Sequence, residues 1–130
     1  MSKSLIYSAN TSAQSVAVGG VVNFGNIVHR FGCLNMSGGN VVTTTPGYYS
    51  IDTNLSIAGT TTGNVTVTLY YNGVAIPGAT TTFPATNATI TQVSIPAAVR
   101  ARCCATGTIT AVITGNAVEV RNAAIEVIKE

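Results

Sequence analysis

Pro46-Gly47-Tyr48-Tyr49-Ser50-Ile51-Asp52-Thr53-Asn54-Leu55-Ser56-Ile57 is the stretch whose reading decides the fold. Proline presets φ for the second position of a turn and glycine accepts the positive φ of the third, so Pro46-Gly47 starts an element sharply. From there Tyr49, Ile51, Thr53, Leu55 and Ile57 alternate with Tyr48, Ser50, Asp52, Asn54 and Ser56. A period of two with one apolar set marks a strand that buries a single face.

Working outward, the same period recurs on both sides. Val65, Val67, Leu69 and Tyr71 alternate with Thr66, Thr68 and Tyr70, and the run ends at Asn72-Gly73, the dipeptide favoured by a two-residue type I′ hairpin. Val74-Ala75-Ile76 returns, Pro77-Gly78 turns again, and residues 80–83 continue in extended form. Ile90 to Ile95 reads as a strand that stops at Pro96, with residues 97–104 an extended connection. Ile109, Ala111 and Ile113 alternate with threonines, and residues 118–128 supply the closing strands. Upstream lie a short strand at 27–31, turns at Gly19-Gly20 and Ser37-Gly38-Gly39-Asn40, and a β-prone stretch at 4–10. Residues 1–14 are expected to form an arm or edge strand and residues 15–130 a single domain. No long 3.6-residue period occurs anywhere. About eight to ten short strands with regular turn signals read as an all-β sandwich or jelly roll.

Composition bounds the function. Charged residues make up 8% of the 130 positions against 46% hydrophobic, where about 25% charged is usual. A surface built of Thr, Ser, Asn and Gly suits a chain whose faces are partly consumed by an assembly. The net charge of +2 comes from basic residues scattered along the chain, so no electrostatic footprint for nucleic acid is visible. No apolar run has the length of a signal peptide or a membrane span, which leads us to expect synthesis in the cytoplasm and no membrane partner.

Catalysis needs groups that exchange protons, or a metal, and the chain has four carboxylates (Asp52, Glu119, Glu126, Glu130) and one histidine, His29. Solvated strand positions account for them, and no catalytic set and no cofactor are expected. Cys33, Cys103 and Cys104 are read as reduced thiols. His29 could join them in a zinc set, but adjacent Cys103 and Cys104 would point to opposite faces of a strand and no Cys-x-x-Cys spacing occurs, so no metal site is expected. His29 at a symmetry axis and a Cys103-Cys104 disulfide are lesser readings. The five Asn-x-Ser/Thr sequons, from Asn10 to Asn87, are what a Thr- and Asn-rich composition produces, and none is read as glycosylated. Tyr48, Tyr70 and Asn72 are the candidate ligand contacts, because aromatics near a hairpin tip offer a flat apolar face with a polar handle; ordinary core and rim packing competes with that reading.

Gly39-Asn40-Val41-Val42, then Pro46-Gly47-Tyr48-Tyr49-Ser50-Ile51, then Val67-Thr68-Leu69-Tyr70-Tyr71-Asn72-Gly73 resemble the C1q/TNF-like jelly rolls, in the order that family shows them. The resemblance is strongest to the phage and bacterial branch related to the tip of spore-surface collagen-like glycoproteins, and residues 122–128 resemble its closing strand. It spans about residues 15 to 130. Val42 replaces an aromatic, the late Phe-rich signature of the animal C1q proteins is missing, and there is no Gly-x-y stalk. The resemblance implies a homotrimer and a structural, non-enzymatic role on a particle surface: a virion head fibre or capsid-decoration protein, with residues 1–14 attaching it to the particle. The alternative is a receptor- or glycan-binding tip of a fibre or spore coat.

Overall fold

The structure is a computed structural model and describes residues 4–87, 89–101 and 107–129. Eleven strands follow one another: β1 (Ser4–Asn10), β2 (Gln14–Val16), β3 (Asn26–Phe31), β4 (Asn35–Ser37), β5 (Val41–Thr44), β6 (Gly47–Gly59), β7 (Gly63–Tyr71), β8 (Val74–Ala85), β9 (Ile90–Ala101), β10 (Gly107–Thr114) and β11 (Val118–Lys129). They form two antiparallel sheets. The first runs β3-β1-β11-β6-β9, with β2 also paired to β11; the second runs β4-β5-β10-β7-β8. This is the all-β jelly-roll sandwich expected from the alternation.

Between the sheets lies one apolar core, running from Ile6 in β1 to Val127 in β11. In β6 the inward set is the one read from the sequence, with Tyr49, Ile51, Thr53, Leu55 and Ile57 all buried. β7 and β10 repeat the pattern from the other side, burying Val65, Val67 and Leu69 against Ile109, Ala111 and Ile113. Each fully buried aliphatic side chain contributes about 1.5–3 kcal/mol of transfer free energy, and the interlocked alternation lets both sheets spend one face on the same core.

Three sequence expectations need correction. Residues 4–10 are neither a free arm nor an edge. β1 is paired on one side to β11 and on the other to β3, with Ile6 and Ser8 fully buried. Its outer neighbour, β3, is an exposed strand whose pairing no local pattern announces. At the β1 bulge the Ser8 hydroxyl lies 2.8 Å from the Phe24 carbonyl and 2.9 Å from that of Asn26, so its burial is satisfied.

Pro96 does not end its strand, because β9 continues to Ala101 with Pro96 opposite Asp52. Likewise Pro77-Gly78 lies within β8, where the pairing with β7 shifts register and Gly78 takes φ +80°. β9 and β8 are the last strands of their sheets. On an edge a proline's missing N–H costs no ladder bond, so the strand runs through it.

The Asn72-Gly73 turn is as expected, with φ of 52° and 79° at the two loop residues and Tyr71 facing Val74 across the hairpin. Its tip is pinned to β10: the Thr108 N–H donates to Asn72 Oδ1 at 2.8 Å, and the Asn72 N–H donates to the Thr108 carbonyl at 2.9 Å. The Pro46 corner is held by Tyr49, whose hydroxyl donates to the Thr45 carbonyl at 2.7 Å and accepts from the Thr45 N–H at 3.2 Å.

Candidate functional site

A sandwich offers two outer faces, and here they differ in chemistry. On the first sheet the register lines up Phe31, Leu5, Ile128, Ser50 and Ala98 across five strands. Phe31 is 55% exposed and Ala98 is exposed, while Leu5 and Ile128 are half-buried. The next row holds His29, Tyr7, Glu126, Asp52 and Pro96. An open depression of about 340 Å³ spans both rows, lined by Ser50, Asp52, Pro96, Ala97, Glu126 and Ile128 among others. Another, of about 320 Å³, lies beside it along the β6/β9 seam and includes Tyr48, Ala98, Val99 and Arg100.

On the second sheet the described outward positions are uncharged and mostly hydroxylated. Thr66 stands between Thr114 and Thr82, Thr68 between Val112 and Thr80, and Tyr70 pairs with Thr110 on one side and Ala75 on the other. The Thr66 and Thr82 hydroxyls are 2.9 Å apart and those of Thr68 and Thr80 are 3.0 Å apart, which knits β7 to β8 outside the core.

Tyr48, Tyr70 and Asn72 are therefore not one platform. Tyr48 is 59% exposed on the first sheet, where the Arg100 guanidinium sits 5.5 Å from its ring centroid. Tyr70 and Asn72 belong to the second sheet and its hairpin, on the opposite side of the sandwich, where Asn72 is tied to the start of β10. Sequence reasoning missed Arg100 by ending β9 at Pro96. The only sequence signal was the single apolar-to-charged step from Val99 to Arg100, since Ala97 and Ala98 carry no alternation of their own.

Cys33 lies in the turn after β3, at one end of the sandwich. Its sulfur is 3.1 Å from Ser4 Oγ and 2.8 Å from Thr45 Oγ1, and its N–H donates to Ser4 Oγ at 3.0 Å. The Ser4 hydroxyl first, then that of Thr45, holds the thiol below its ordinary value. Slight burial pushes the other way, and Tyr49 and Lys129 add to the lowering. His29 stands opposite Tyr7 in the middle of β3, away from this cluster. Among the described residues no three His, Cys, Asp or Glu side chains are grouped so as to hold a metal. Cys103, Cys104 and Glu130 lie outside the described residues. Glu126 faces Asp52 across β11 and β6, while Glu119 accepts from Arg121 Nε at 2.8 Å on the exposed surface.

With two such sheets the chain is a jelly roll of the TNF and C1q type, and comparison with solved structures agrees. Eiger TNF from S. frugiperda matches with a TM-score of 0.71 at 8% identity, over 98% of this chain and 91% of that one. The globular domain of zebrafish complement 1qA protein matches at 0.64 and 10% identity, over 96% of this chain and 94% of that one. The PRD1 vertex protein P5 matches at 0.58 and 15% identity, over 97% and 96%. At these identities the likeness establishes the fold. No protein-family model and no curated protein sequence matches the chain.

Proposed function

We propose that this chain is a non-enzymatic structural protein that forms a homotrimer and decorates a particle surface, a phage virion in the first place, as a head fibre or capsid-decoration component. One observation carries the assembly: the row from Phe31 to Ala98, with two open depressions beside it, leaves apolar surface on the outer face of the first sheet in a chain with little charge to keep copies apart. Covering it with further copies of the same chain removes that surface from water, and the charges the cover would meet are Asp52 and Glu126 in the next row and Arg100 beside the second depression. The virion reading draws on the sequence resemblance and on the similarity in fold to a protein whose name places it at a vertex. A spore surface is the other destination the resemblance allows. Attachment through residues 1–14 is not retained, because residues 4–10 are engaged as β1.

Light scattering after size exclusion, at low micromolar concentration with reductant, tests the assembly. A mass of three chains is expected, and Phe31→Asp, which sets a carboxylate in the apolar row, is expected to shift it to one. A monomeric parent protein sinks the proposal. Labelling purified virions with an antibody against the chain tests the destination, and unlabelled particles would exclude it.

A further inference from the structure

Every charged side chain among the described residues stands on β3, β6, β9 or β11, all strands of the first sheet. The second sheet and the described loops carry none. Its outer face is instead rich in hydroxyls, with Val112, Val41 and Ala75 set among the threonines. Strand geometry spaces them about 4.8 Å apart across strands and about 6.8 Å along them. Because Thr66 pairs with Thr82 and Thr68 with Thr80, their rotamers are set in advance, yet each pair keeps donor and acceptor capacity for a ligand. Tyr70 lies half-buried in this array, and Asn72, whose Oδ1 is occupied by Thr108, has its Nδ2 donors to offer beside it.

We propose that this face binds an uncharged polysaccharide, with the Tyr70 ring carrying the apolar face of one sugar and the threonine hydroxyls and Asn72 amide meeting its hydroxyls. The chemistry selects the partner. Among its described residues this face has no cation to hold a phosphate-, sulfate- or carboxylate-bearing polymer. Protein interfaces are anchored by buried aromatic and Arg clusters, and this face has one half-buried ring among threonines. A neutral polyol needs what is here: one aromatic platform and many small donors and acceptors. The rigid sheet holds them in place beforehand, so little ordering is lost on binding. The inference goes beyond the structural role and uses the face opposite the one proposed for assembly.

Affinity electrophoresis in gels containing dextran, mannan or galactan, with hyaluronan and polygalacturonate as anionic counterparts, tests it. Retardation by at least one neutral polymer is expected. It should weaken about tenfold or more in Tyr70→Ala and severalfold in the shape-conserving Thr110→Val, and be unchanged in Tyr48→Ala on the other sheet. Circular dichroism of each variant reports its fold, and Thr110→Val keeps the test decisive if Tyr70→Ala does not fold. Retardation by none of the polymers, retardation only by the anionic ones, or loss in Tyr48→Ala with Tyr70→Ala and Thr110→Val unaffected would overturn it. Light scattering on the same samples separates the two proposals, since a monomer that is still retarded removes the trimer and leaves the binding face.

Discussion

At the scale of single residues, Thr53 shows how strict the alternation is. It sits on the inward side of β6 between Ile95 and Ile125, fully buried, and its hydroxyl has no hydrogen-bond partner among the described residues. An unsatisfied buried hydroxyl costs about 1–3 kcal/mol, so Thr53→Val, which keeps the shape and removes the oxygen, should raise stability by about 1 kcal/mol. A urea midpoint that stays level or falls would show that the hydroxyl has a partner. Its inward position was legible from parity alone. That its hydroxyl would go unpaired was not, because the facing residues come from β9 and β11.

Cys33 is the opposite case, since nothing near it in sequence reveals Ser4 or Thr45. With the thiol's titration lowered by these hydroxyls, the thiolate forms at lower pH than in an ordinary cysteine, and alkylation should follow it. Mass-spectrometric mapping of the Cys33 peptide after brief iodoacetamide pulses should place the rise in rate below that of a free cysteine peptide. Ser4→Ala should move it back up. A profile that overlays the free peptide in the parent protein would count against the hydroxyl contacts.

At the scale of elements, pairing decides what composition cannot. β6 was readable as a strand from its own residues, whereas the meeting of Asp52 with Glu126 depends on the β6/β11 register, which includes an irregularity between Val120 and Asn122. Like charges directly opposite on adjacent strands are destabilising by about 0.2–1 kcal/mol. Asp52→Asn should therefore raise the denaturation midpoint, more at low ionic strength than at high, because salt screens an exposed pair. An unchanged midpoint at low salt would mean that the two carboxylates are held apart. The hairpin at Asn72-Gly73 was legible because its positive φ values are a property of the two residues themselves. Pro77-Gly78 reads as a turn and Pro96 as a stop from sequence alone, because proline's effect depends on whether its strand lies at an edge, and edges exist only in the assembled sheet.

For the whole molecule, the sequence by itself determined the all-β class, the inward faces of β6, β7 and β10, and the shortage of charge. Each follows from residue identity and a period of two, which a strand obeys wherever it is placed. The tertiary structure alone decided that residues 4–10 are an inner strand, that Tyr48 parts from Tyr70 and Asn72, and that the described charges gather on one sheet while the other turns a neutral hydroxyl face to solvent. The physical reason is that strand order joins segments far apart in the chain. Which residues share a face is therefore set by long-range pairing, and the local pattern is silent on it.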